Sequence, residues 1–487
     1  MQMIKEIKSV FETHGYSLND IICETMKKFN LKTLCHESGI VKASGVSATE
    51  IICLLLLMPL LAVGSINHYY VGEYASIITM QRDVFYRLKN NELFNWRTLL
   101  YLVAKTFKKR TITPQETTDD TKKVSAFILD DTTDQRTGFK MENISWVHDH
   151  NIGKSVLGFK TLVLAYFDGI STIPLDFTTH KEKALKGKKR KEQYKKDVKK
   201  GSHGEKRRKE ASTSKIQQSI NMIRRAAKNG FHPDYVLCDS WFTCRELMQT
   251  VRSILPGKMH IIAGIRNDTR KYDCEGQLFN AKEIIARLKE TKKEKRCRKL
   301  GIRYYTLTVK YDGVGDVKLA ICRYPGQKKW RVFITTDTSL SFVRMMEIYA
   351  IRWTIEVFFK ECKQHLSFGK CQSRDFDAQI TSTTICFILY IFLAYRKRKV
   401  SYEIPEESPT MGQMVLEAVY ELKQRTVYER VLAMFEDMLV FLIDVISAEC
   451  GSMDIKNLMS SKEYIYAKEI LRSSFLFEQL KAVDNAA

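Results

Sequence analysis

The chain has 487 residues and a formal charge of +23, from 79 basic and 56 acidic side chains, so it can bury a large core and has room for roughly three compact units. Such an excess favours a polyanionic partner, nucleic acid ahead of a membrane surface, because neutralising phosphates releases counterions. The twelve cysteines include no CxxC pair, which excludes zinc-ribbon spacing and suits a reducing cytoplasm.

Residues 1–110 read as helical. Apolar residues recur at Ile4, Ile7 and Phe11, and aromatics interleave with Arg82, Arg87, Arg97 and the Lys108-Lys109-Arg110 cluster. That pattern suits a small DNA-binding unit, and equally an amphipathic helix pair with a solvated basic face. The run IICLLLLMPLLAV at 51–63 is too short to span a bilayer and is broken by Pro59, so a buried helix is expected. No bilayer is implied. Residues 111–123 are polar, carry Pro114 and read as a linker.

Strand patterns follow. VSAFILDD at 124–131 ends in acids, and GFKTLVLAYF and STIPLDF suggest two further strands of a meander. A helix is expected over about 213–229, then a short buried strand YVLCD ending at Asp239, then a helix over 243–253. This alternation argues a mixed α/β layer, the first part of a core over 124–259. Within it, residues 181–210 carry 15 basic against 5 acidic side chains with little apolar content, so 180–212 reads as a flexible basic loop able to touch phosphates. Residues 260–336 hold four more strand patterns, with a hairpin signal at Asp312-Gly313, and read as a β-rich insertion. The second part of the core is expected over 337–400. The remaining 401–487 are helical in pattern and acidic, with 8 basic against 15 acidic residues, which leaves +30 on residues 1–400.

The stretch YAIRWTIEVFFKECK at 349–363 is read as one helix. At about 100° per residue, Arg352, Glu356 and Lys363 fall within roughly 60° of Tyr349 as a polar stripe, while Ile351, Ile355, Phe358 and Cys362 form an apolar one. Glu356 then joins two strand-terminal acids. Carboxylates at the carboxyl ends of strands in an α/β sheet are where sites form, and three of them are what hard divalent ions need. Asp130 and Asp131 point to opposite faces of their strand, so only one can join, and periodicity does not choose. Each acid also has a plain reading: Asp239 as a helix cap, Glu356 as the partner of Arg352 or Lys360.

Tyr349, Arg352, Glu356 and Lys363 match a Y-x2-R-x3-E-x6-K pattern that resembles the signature of bacterial transposases of the fourth insertion-sequence family, DDE cut-and-paste enzymes. Asp131-Thr132-Thr133 resembles that family's first-aspartate D-T-T, which selects Asp131, and VLCDSWF resembles the second-aspartate segment around Asp239. The likeness runs from about residue 120 to 400. It implies an RNase H-like catalytic core interrupted by the β-rich insertion, with helical regions at both ends. It further implies Asp131, Asp239 and Glu356 holding two Mg2+ ions, with Mn2+ as a substitute, and Tyr349, Arg352 and Lys363 holding DNA phosphates. Trp330 resembles the tryptophan that stacks a flipped base at a DNA hairpin, or is an ordinary packed strand residue. The implied partners are double-stranded DNA with terminal inverted repeats, target DNA and a second copy of the chain bridging two ends, in a bacterial, nucleoid-associated setting. The basic loop is not part of the family pattern. A domesticated non-cutting DNA-binding protein and a two-metal nuclease outside transposition remain the rival classes.

Overall fold

The computed structural model describes residues 21–422, apart from 62, 72–79, 112–123, 150–151, 183–192, 267, 291–293, 404–408 and 421. All but the last of these belong to one compact unit, Asp20–Tyr420. The helix expected around Ile4 to Phe11, the linker and the acidic region past 422 lie outside the described residues.

Six helices open the unit: α1 (Ile21–Lys28), α2 (Leu31–Glu37), α3 (Ala48–Leu57), α4 (His68–Val71), α5 (Arg82–Lys89) and α6 (Trp96–Thr111). The Ser47 hydroxyl accepts from the Glu50 amide while the Glu50 carboxylate accepts from the Ser47 amide, a reciprocal cap that starts α3. Its apolar run ends one residue before Pro59 and buries Ile51, Ile52, Leu55 and Leu56, as the pattern predicts.

Twelve strands form one sheet in the order β2-β3-β1-β5-β6-β12-β11-β10-β7-β8, with β4 beside β3 and β9 beside β10. β3 (Lys154–Phe167) lies between β1 (Ala126–Gln135) and β4 (Thr172–His180), antiparallel to both, and β2 (Ser145–Asp149) pairs antiparallel with the first residues of β3. β5 (Tyr235–Cys238) and β6 (His260–Ile265) run parallel to β1. Both are buried on both faces, which explains their unbroken apolar sequences. The remaining strands are β7 (Lys271–Cys274), β8 (Gln277–Asn280), β9 (Lys295–Cys297), β10 (Ile302–Tyr311), β11 (Gly315–Arg323) and β12 (Arg331–Thr335), which with β6 fall within the β-rich insertion expected over 260–336. They continue the same sheet, because β12 pairs directly with β6.

Helices cover both faces of this sheet. α7 (His203–Ala211), α8 (Lys215–Lys228) and α9 (Arg245–Ile254) come before β6, α10 (Ala281–Glu290) follows β8, and α11 (Phe342–Ala350), α12 (Trp353–His365) and α13 (Phe376–Glu403) close the unit. α13 includes the ICFILYIFLAY run and is longer than that run suggested. Its most apolar window is long and apolar enough to cross a membrane, yet 83% of it is buried inside the protein, so it serves as a core helix. Phe29, in the turn just after α1, packs edge-on against Phe392 and Tyr395 of α13, tying the N-terminal helices to it.

The basic segment also departs from its expected character. Where described, it is seated by ion pairs: Lys196 binds Glu92, Asp375 and Asp377, and Arg208 binds Glu142 and Asp377. Too few apolar residues for a core did not prevent ordering, because acids from distant segments supplied the partners.

Candidate active site

β1 and β5 run in parallel register with Leu129 opposite Cys238, so the next positions, Asp130 midway along β1 and Asp239 just past the end of β5, lie side by side. β1 was expected to close at Asp131 and instead continues to Gln135, paired with β3 throughout. Asp130, not Asp131, is the residue of the pair that faces this edge. Burial pushes its carboxyl up to about 7; the Arg352 guanidinium pulls against this, and the neighbouring Asp239 carboxylate adds to it. Asp131 points to the opposite face, where Lys215 of α8 donates to it at 2.9 Å and Lys160 of β3 lies at 3.4 Å. The D-T-T likeness singles out Asp131, whereas the position beside Asp239 and Arg352 is held by Asp130. Residues 126–129 are buried on both sides of the sheet, so no polar–apolar alternation was available to mark the faces.

Glu356 reaches the same edge from α12. The predicted single helix is two: α11 ends at Ala350, and tight turns follow in which Ile351 and Arg352 donate to Ile348 and Tyr349. α12 then restarts with Arg352 at its N-terminal boundary. The polar stripe survives this break. Arg352 Nη1 donates to Asp130 Oδ2 at 3.0 Å and Nη2 to Glu356 Oε1 at 2.6 Å, so one guanidinium joins the strand acid to the helix acid. The expected structural pairing of Glu356 with Arg352 is thus real, and it occurs within the site. Asp239 is fixed by its own turn, accepting from the Trp241 amide at 2.8 Å. Gly264 on β6 lets this turn approach, since a Cβ there would sit 3.3 Å from the Ser240 amide nitrogen.

The other signature residues surround this trio. Tyr349 packs edge-to-face on Phe333 of β12 at 4.8 Å, with Arg352 over its ring, and burial holds its phenol well above the usual range. Lys363, one turn from the end of α12, donates to the Thr132 hydroxyl at 2.7 Å and the Thr133 carbonyl at 2.9 Å. It lies on the Asp130 face of β1, and burial lowers its ammonium from the ordinary value. Trp330 precedes β12 at the same end of the sheet as Asp239, because Val332 pairs with Ile265. Its indole is held between Tyr305, at a ring separation of 5.3 Å, and the Arg323 guanidinium at 5.1 Å. Lys160 and Lys215, the latter stacked 4.2 Å over Trp241, were not anticipated, and nothing in their local sequence marks them.

The donor set of Asp130, Asp239 and Glu356 consists of hard carboxylate oxygens, the chemistry Mg2+ prefers. Among the described residues no three acidic, His or Cys side chains are grouped closely enough to hold an ion. The Arg352 guanidinium stands between two of the three acids and neutralises them. The acids fit divalent ions in donor type, but in this arrangement they are not close enough to share one, and Arg352 would have to move for them to do so.

Compared with known families, residues 122–392 match the family model described as a transposase DDE domain, more than half of the chain. No curated protein matches the chain.

Proposed function

Because the chain belongs to the transposase DDE-domain family, we propose that it cuts DNA at transposon ends and joins the freed 3′ ends to target DNA, with Asp130, Asp239 and Glu356 as the ion-holding acids. The observation that carries this reading is the single guanidinium linking Asp130 of β1 to Glu356 of α12, with Asp239 on the neighbouring strand position. Asp130 and Asp239 come from distant segments to adjacent strand positions, and burial together with the Asp239 charge raises the Asp130 carboxyl, the pattern of a functional carboxylate.

The sheet order supports an RNase H-like core: β4, β3 and β1 form the antiparallel part, and β5 and β6 continue it in parallel. Two Mg2+ ions held by the three acids would polarise the phosphodiester and the attacking oxygen. Arg352, once displaced, is placed to clasp a phosphate in bidentate fashion, and Tyr349 limits where it can swing. Lys363 holds the backbone of β1 just past Asp130, which fixes that carboxylate and leaves its ammonium close to an incoming phosphate. The narrower assignments are carried by the signature residues: membership of the fourth insertion-sequence family, inverted-repeat ends bridged by two copies of the chain, and a hairpin step with a base stacked on Trp330.

The test is cleavage of linear DNA ending in the repeats that flank the gene, with Mg2+ and with excess chelator, by wild type and by Asp130→Asn and Glu356→Gln. Cleavage that needs the ion and is lost in both variants while DNA binding persists is the expected result. Undiminished cleavage by either variant would overturn the assignment of that acid.

A further inference from the structure

A second cluster of charged groups lies away from the sheet edge, where α6, α7 and α8 meet β4. Asp176, fully buried, accepts from Arg97 at Oδ1, at 2.9 Å, and at Oδ2 from both Arg225, at 2.8 Å, and the Tyr101 hydroxyl, at 3.2 Å. Glu210 accepts two hydrogen bonds from Arg97, at 2.9 and 2.6 Å. Arg207 joins them, donating to the Phe177 carbonyl and lying 3.8 Å from Glu210. Three guanidiniums thus share two carboxylates, leaving one positive charge in excess in a desolvated place. Burial lowers the Arg207 guanidinium to about 9, and the nearby Arg97 adds to the effect.

Next to this cluster is a small cavity of about 30 Å³, lined by Arg97, Arg207, His203, Lys206, Trp96 and Asp377 among others. Two of the lining side chains carry a buried nitrogen with no partner, Arg207 Nη2 and Trp96 Nε1. Arg207 and Trp96 are themselves only 6% and 3% exposed. His203 is held below its ordinary value by burial and by Lys206, Arg207 and Arg97, so the local field is positive. The carboxylate in the lining, Asp377, is occupied by Arg208 and Lys196.

We infer that this cavity binds a small monovalent anion of halide size, held by Arg207 and Trp96 and balancing the surplus guanidinium. A buried donor left unmade is costly, and a desolvated unbalanced charge more so, and one ion removes both penalties. The size admits one chloride or about two waters and is small for a four-oxygen phosphate, and the unpartnered donors of Arg207 and Trp96 favour the anion. The ion would lock α6 onto α7 and the sheet, a structural role separate from DNA chemistry.

The full chain is tested by thermal unfolding at fixed ionic strength, with sodium chloride or bromide replacing sodium gluconate, and by the 35Cl linewidth of chloride in its presence. Expected are a saturating rise in Tm of about 2 to 4 °C with either halide, and a broadened 35Cl line that bromide narrows by competition. Arg207→Lys, which keeps the charge and removes the second guanidinium nitrogen, flattens the halide dependence. Because that variant can fail to fold, the wild-type linewidth decides alone: equal Tm in chloride and gluconate with no broadening means water fills the cavity, and the inference fails.

Discussion

At Asp130 and Asp131, adjacent carboxylates are assigned to different work by the two faces of one strand. Asp131 neutralises Lys215 and Lys160, which are 9% and 4% exposed as side chains. Asp131→Asn is therefore expected to lower stability by about 1–3 kcal/mol in urea unfolding while keeping cleavage within about tenfold of wild type. Asp130→Asn is expected to lose cleavage by about a thousandfold or more with little change in stability. Asp176 offers a pH test of the same kind. Against the desolvation that raises it, Arg97 and then Arg225 hold its carboxyl well below the ordinary value of 3.8. Since the folded state has the lower pKa, its contribution is complete above about pH 4 and is lost as the pH falls further. Asp176→Asn, which leaves two buried guanidiniums short of a counter-charge, should cost about 3–5 kcal/mol at pH 7. The gap between wild type and variant should narrow below pH 4, as read by urea midpoints across a pH series.

Elements were legible from the sequence wherever local pattern decides them. The apolar runs of β1 and β5 lead into acids, and the residues around Glu356 show a 3.6-residue stripe, so all three site elements could be found from residues a few positions apart, although β1 continues past its acids to Gln135. What could not be found was decided by remote partners. The inward face of β1 is set by Arg352, 222 positions away, and the ordering of the basic segment by acids such as Asp377, 169 positions from Arg208. The break between α11 and α12 leaves no Pro or Gly to mark it; the chain simply tightens at Ile351 and Arg352. Pairing of β1 with β3 rests on a further close fit, because a Cβ at Gly158 would come within 2.3 Å of the Asp134 carbonyl oxygen. Gly158→Ala is expected to destabilise by about 1–3 kcal/mol through forced separation of the strands, measured by urea unfolding, and to weaken cleavage by shifting Asp130.

For the whole molecule, charge is the property that reaches furthest. With +23 overall, binding to duplex DNA should be governed by phosphate neutralisation. Affinity is expected to fall by about a thousandfold between 50 and 200 mM salt, with log K linear in log salt, in a filter-binding series run without divalent ions. A slope near zero would mean that the excess charge is spent internally, as it is for Lys196 and Arg208. The continuous sheet bears on how such a particle can move. From β2 to β8 each strand is hydrogen-bonded to the next, and β12 couples β6 to the strands beyond it without an intervening linker. Any force applied at β10 or β11 is therefore transmitted to Asp239 through rungs of amide bonds. Among the described residues, the strands beyond β6 are thus tied to the Asp239 end of the sheet by main-chain hydrogen bonds through β12.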